Sequence, residues 1–178
     1  MVTVVPAMDT KMLELIFNLL TFDKWGEMMS TLLGTELNST LKDLFDKRIS
    51  TVIMATLDQS QSPHTAPFNY ITVSDPKHLR LAISRNQQTF SNIQANGNVA
   101  LAVLEEGDIA VCIKGFARVI RSSMELDYNM AIVEIEISEI KKDNSPTHFV
   151  TQGIRIRHRS EPYLLESRRI FQELASEW

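Results

Sequence analysis

The sequence predicts a mainly β chain of the α+β class, a small antiparallel barrel flanked by helices. Three observations carry this. Between residues 51 and 140 the apolar residues fall into six strand-like runs, whereas before and after them they recur at helical spacing. Turn chemistry separates the runs, as in Asp58-Gln59-Ser60-Gln61-Ser62-Pro63, Asp75-Pro76-Lys77 and Glu105-Glu106-Gly107-Asp108. One short helical pattern interrupts them after the third run. Closing such a sheet removes edges that would otherwise pair with other chains.

Taken in order, residues 1–48 read as a helical N-terminal extension. Met12, Leu13, Ile16, Phe17, Leu19 and Leu20 fit helical spacing, with Asp9 or Thr10 as cap, and Gly26 and Gly34 interrupt the pattern. Leu41, Leu44 and Phe45 continue it behind Asn38 or Ser39 as N-cap. The first strand is the β-branched run Thr51–Leu57. The second is His64–Val73, in which Pro67 marks an edge position or a bulge. In the third, Leu79, Leu81 and Ile83 alternate with Arg80, Ala82 and Ser84. Phe90 and Ile93 define a helix over Gln88–Asn96, with Asn86 as N-cap and Gly97 as its stop.

Val99–Leu104 is apolar on both faces, which predicts a central strand. Val111–Val119 alternates, and so does Leu126–Ile140, where Ala131, Val133, Ile135 and Ile137 oppose Glu134, Glu136 and Ser138. Residues 49–142 are therefore the barrel. Residues 143–178 are a loop and a helix over Glu161–Glu177, opened by Ser160 and Pro162, with Leu164, Leu165, Ile170, Phe171 and Leu174 apolar.

Composition narrows the function. The 18 basic and 22 acidic residues of this 178-residue chain give a net charge of -4, which argues against a nucleic-acid partner bound through a broad basic surface. No uninterrupted apolar run is long enough for a membrane span. The N-terminal residues lack the basic region of a secretory signal. The single cysteine, Cys112, allows no internal disulfide and no Cys-based metal cluster, and reads as a small buried hydrophobe. His64, His78, His148 and His158 have no metal-ligand spacing. A cytoplasmic location with no metal is the expectation.

Several pieces, in order, resemble the pyridoxamine 5′-phosphate oxidase-like family of FMN-binding split β-barrels. They are Ala55-Thr56-Leu57, Ser62-Pro63-His64-Thr65-Ala66-Pro67 and Leu79-Arg80-Leu81-Ala82-Ile83-Ser84. Thr89–Leu101, with Asn92 and Asn96 before Val99-Ala100-Leu101, and Ile113-Lys114-Gly115-Phe116-Ala117-Arg118-Val119 complete the set. The resemblance implies a six-stranded Greek-key split barrel and a homodimer holding FMN between its subunits. It also implies flavin-dependent oxidoreduction of a small molecule, in a family where a few related barrels bind haem.

The same resemblance assigns the flavin ring to Pro67, Phe68 and Asn69, with Ile83, Ser84, Arg85, Gln88, Thr89 and Lys114 completing the cofactor site. It also marks a departure. Four positions that are basic in the oxidases proper, two on the second strand and two at the helix start, are here Ala66, Ile71, Gln88 and Thr89. Arg85, the Thr89 hydroxyl, the Gln88 amide and the helix N–H groups remain for the phosphate. True pyridoxamine 5′-phosphate oxidase activity is therefore not expected, and no catalytic acid or base is assigned. The cluster Arg155, Arg157, His158 and Arg159 does not match the oxidases' substrate-phosphate motif. Two alternatives stand beside the flavoenzyme: a flavin-free binding or regulatory module, and a haem binder using His64 or His148.

Overall fold

The computed structural model describes residues 30–47 and 51–176. The helix expected over Met12–Leu20 and the interruption at Gly26 lie outside the described residues. Within them the chain forms eight strands and three helices, in the order β1 (Thr31–Gly34), α1 (Ser39–Asp46), β2 (Val52–Leu57), β3 (Pro63–Phe68), β4 (Ile71–Asp75), β5 (His78–Ser84), α2 (Gln88–Ala95), β6 (Asn98–Glu105), β7 (Ile109–Arg121), β8 (Met130–Lys142) and α3 (Glu161–Leu174).

The strands form one antiparallel sheet in the order β3-β2-β6-β7-β8-β5-β4, with β1 added to β8. The count is eight, not the expected six, for two reasons. The predicted second strand breaks at Asn69-Tyr70, and Thr31–Gly34, read from sequence as part of a helical stretch, pairs with Ile140–Lys142. The break defines the architecture. Phe68 still pairs with Val52 of β2, whereas Ile71 pairs with Leu81 of β5, so residues only three apart serve opposite ends of the sheet. Three chain steps, roughly 10 Å, connect those two edges. The sheet curls so that this short link joins its two edge strands, which share no ladder and leave the barrel open: a split barrel. Pro63 and Pro67 sit on edge strand β3, where their missing N–H groups disrupt no inner ladder.

Alternation fills the interior. Leu79, Leu81, Leu101, Ile113, Val133 and Ile135 are almost fully buried in one core cluster, which also takes Leu41, Leu44 and Phe45 of α1. Burying each such side chain is worth roughly 2 kcal/mol. Asn38 is the cap of α1, its Oδ1 accepting from Leu41 N–H at 2.9 Å. A second cluster lies on the outer face, where Ile170, Phe171 and Leu174 of α3 cover Ala82 and Ile132, and Tyr70 meets the Phe171 ring edge-on at 5.6 Å. Leu164 and Leu165, expected to pack, are exposed, because only the second half of α3 lies on the sheet.

Two glycines serve different needs. Gly107 turns the β6–β7 hairpin at φ +86°, followed by Asp108 at φ +61°. Gly97 is not a left-handed helix stop. The C-cap of α2 is Asn96 in extended backbone, and Gly97 is needed because β7 passes too close for a side chain. The N-cap of α2 is Gln87, one residue beyond the expected Asn86.

Candidate functional site

The start of α2 gathers four of the residues that the resemblance singles out. Ser84 ends β5, and the chain turns through Arg85, Asn86 and Gln87, held by Gln87 N–H donating to the Ser84 carbonyl at 3.1 Å. The Arg85 N–H donates to the Asn129 carbonyl at 2.8 Å, and its Nη1 donates to the Tyr128 carbonyl at 3.3 Å. Gln87 supplies no side-chain cap, so the first-turn N–H groups of α2 have no side chain closing them off.

Behind this opening runs a buried amide relay. Gln88 Nε2 donates to Asn92 Oδ1 at 2.8 Å, and Asn92 Nδ2 donates to Thr56 Oγ1 of β2 at 3.0 Å. Asn92 and Thr56 are each 2% exposed. Thr89 is fully buried, and its hydroxyl has no hydrogen-bond partner. A buried hydroxyl without a partner is costly, and here it stands in the first turn of an uncapped helix.

The ring-side residues lie differently. Pro67 is exposed and Asn69 half-buried at the split, while Phe68 and Ile83 are core residues, so any part they take in a ligand site comes from their backbone. β3 is an edge strand, and its outer backbone groups face away from β2. Ile71, one of the neutral positions, is also core.

Lys114 is not gathered with the α2 cluster. It points from the outer face of β7, where its Nζ pairs with Glu139 Oε1 at 2.8 Å. That hydrogen bond raises the Lys114 pKa and lowers that of Glu139. Lys114 also borders a shallow apolar pocket of about 230 Å³ lined by Ala55, Leu57, Pro63, Val99 and Ala100. Nearby Cys112 is half-buried, and burial, then Asp143, push its thiol pKa up, away from thiolate chemistry.

Arg155 of the basic cluster has a structural partner. Arg155 makes a two-pronged pair with the buried carboxylate of Glu105, and Gly153 N–H donates to the same carboxylate at 3.3 Å. This pins the segment after β8 against the end of β6. His64 is half-buried on β3, and His148 is exposed and bonded to Ser145 and Thr147. Among the described residues no three His, Cys, Asp or Glu side chains group as a metal site, and no helix is long and apolar enough to cross a membrane.

Sequence reasoning left Thr56 and Glu139 out of the site. Thr56 lies 36 residues from Asn92, so no local spacing joins them. The Lys114–Glu139 pair exists only because β7 and β8 align those residues as cross-strand partners.

The curled sheet open between β3 and β4, with α2 packed on β2, β3 and β7, defines the split-barrel class. Solved structures share the fold at low identity. A Lactobacillus delbrueckii protein provisionally named a pyridoxamine 5′-phosphate oxidase is 24% identical with a TM-score of 0.54, over 64% of this chain and 98% of its own. Group A Streptococcus HupZ is 18% identical with a TM-score of 0.52, over 61% and 98%. An F420 reductase is 14% identical with a TM-score of 0.50, over 58% and 98%. No curated protein matches the chain. Residues 39–156 match the family model described as Pyridoxamine 5′-phosphate oxidase, and the chain belongs to that family.

Proposed function

We propose that this protein is a flavin-dependent oxidoreductase that binds FMN and works as a homodimer. The observation that carries the reading is the start of α2: an uncapped helix N-terminus, the exposed Arg85 guanidinium beside it, and the buried, unpartnered Thr89 hydroxyl in its first turn. A helix start with free N–H donors is an anion site, and a flavin phosphate is the anion the family context supplies. The outer backbone edge of β3 at Pro67–Asn69 suits the hydrogen-bonding edge of the ring, and Lys114 closes the neighbouring apolar pocket instead of serving the phosphate. Bound flavin supplies the electron transfer itself, so the protein's part is placement and exclusion of water.

The outer face of β2 and β6 supports self-association. Ile53, Ala55, Leu57, Ala100 and Ala102 are small or apolar, and Phe116 of β7 beside them is 54% exposed. Such a face fits a second copy of the chain.

The test is incubation of the purified chain with FMN, gel filtration and a visible spectrum, with light scattering on the eluted peak. A flavin spectrum co-eluting with a dimer is the expected result. Colourless protein overturns the flavin reading in favour of a flavin-free binding module, which the neutral residues at Ala66, Ile71, Gln88 and Thr89 would then explain. A monomer at micromolar concentration overturns the dimer.

A further inference from the structure

We infer that the start of α2 places the flavin phosphate but adds little affinity through it, so that riboflavin binds nearly as well as FMN. This rests on the flavin reading above and specifies the ligand class: a flavin whose side chain need carry no dianion.

Few charges among the described residues surround the helix start. From Ala82 to Asn96 the only ionisable side chain is Arg85. α2 packs on β2, β3 and β7. β2 carries no charged residue, and β3 carries only His64. β7 brings Lys114, Arg118 and Arg121, and each is already paired with a carboxylate: Lys114 with Glu139 at 2.8 Å, Arg118 with Glu134 at 2.8 Å, and Arg121 with Glu173 and Glu125 at 3.0 Å. A cation already neutralised by a carboxylate offers a second anion little attraction. Arg85 is exposed, its Nη1 already donates to the Tyr128 carbonyl, and the same loop carries Asp127.

Gln88 stands at the helix start as a neutral amide, and its Nε2 is committed to Asn92. Among the described residues, the phosphate therefore meets one solvated guanidinium, neutral donors and helix N–H groups. An exposed ion pair of this kind changes affinity by about tenfold or less. Recognition of a phosphomonoester dianion requires several charge-assisted, desolvated donors.

The experiment titrates the full chain separately with riboflavin and with FMN, following quenching of flavin fluorescence at low and at high salt. The expected result is dissociation constants within about tenfold of each other, with little salt dependence. FMN binding about a hundredfold tighter than riboflavin overturns this inference and leaves the flavin reading standing. Binding of neither flavin overturns both. A second variant locates the phosphate. Gln88→Lys adds a cation at an exposed helix-start position and is expected to widen the FMN preference by up to about tenfold. An unchanged ratio in that variant overturns the placement of the phosphate at α2.

Discussion

Replacing Asn92 by alanine tests the relay that ties α2 to the barrel. Asn92 is 2% exposed, and its amide both accepts from Gln88 and donates to Thr56. Truncation removes both bonds. The Gln88 end is exposed and turns to water at little cost. The Thr56 hydroxyl is 2% exposed and has no such recourse, so it loses its donor in a dry environment. Leaving one buried polar group unsatisfied costs about 1–3 kcal/mol. Taking the middle of that range, and about 2–4 °C per kcal/mol for a chain of this size, Asn92→Ala lowers the melting temperature by roughly 4–8 °C. The assay is thermal and urea unfolding of a double-mutant cycle with Thr56→Val, which removes the hydroxyl while keeping the shape. The cycle should return a coupling of about 1 kcal/mol. Stability within about 0.5 kcal/mol of wild type in both single variants would refute the relay as a structural tie.

Two further predictions follow from the packing and the charges. A methyl group at Gly97 would lie 2.6 Å from the Ala117 carbonyl oxygen and 2.6 Å from the Phe116 ring. The ring can swing away, but the carbonyl cannot, because Ala117 N–H is itself bonded to Gly97 O at 2.7 Å. Gly97→Ala should cost about 1–3 kcal/mol in urea unfolding, and unchanged stability would sink this reading of the glycine. Glu134 is buried, which works to raise its pKa, but hydrogen bonds from Arg118 and Arg80 outweigh that and hold the carboxyl below its ordinary 4.5. A depressed folded-state pKa means stability that is present above the unfolded value and lost as pH falls through the folded one. The stability gap between wild type and Glu134→Gln should therefore be widest near neutral pH and close progressively below about 4.5. A gap that stays constant on acidification contradicts the linkage.

Local chemistry made much of the fold readable. Alternation along Val111–Val119 and Ala131–Ile137 shows directly which side chains enter the core, because a strand places neighbours on opposite faces whatever it pairs with. Pro67 announced an edge or a bulge, because a missing N–H is tolerated there. The helix of Phe90 and Ile93 was legible from spacing, whereas Arg85, Gln88 and Thr89 at its start were singled out only by the family resemblance.

Tertiary structure decided the rest. Nothing between His64 and Val73 says that the strand changes partners at Asn69. That follows from the curl of the whole sheet, which brings β2 and β5 to the two sides of one short link. Thr31–Gly34 became a strand because the end of β8 offered it an open edge, although its own pattern is short and its leucines stay exposed. Register sets Lys114 across from Glu139, and folding buries Glu105 beneath Arg155, pairings that no local spacing foretells. The sequence determined which faces are apolar and where the chain turns, since those depend on neighbours along the chain. Which charges remain to meet a ligand depends on residues dozens of positions apart, and only the folded sheet brings them together.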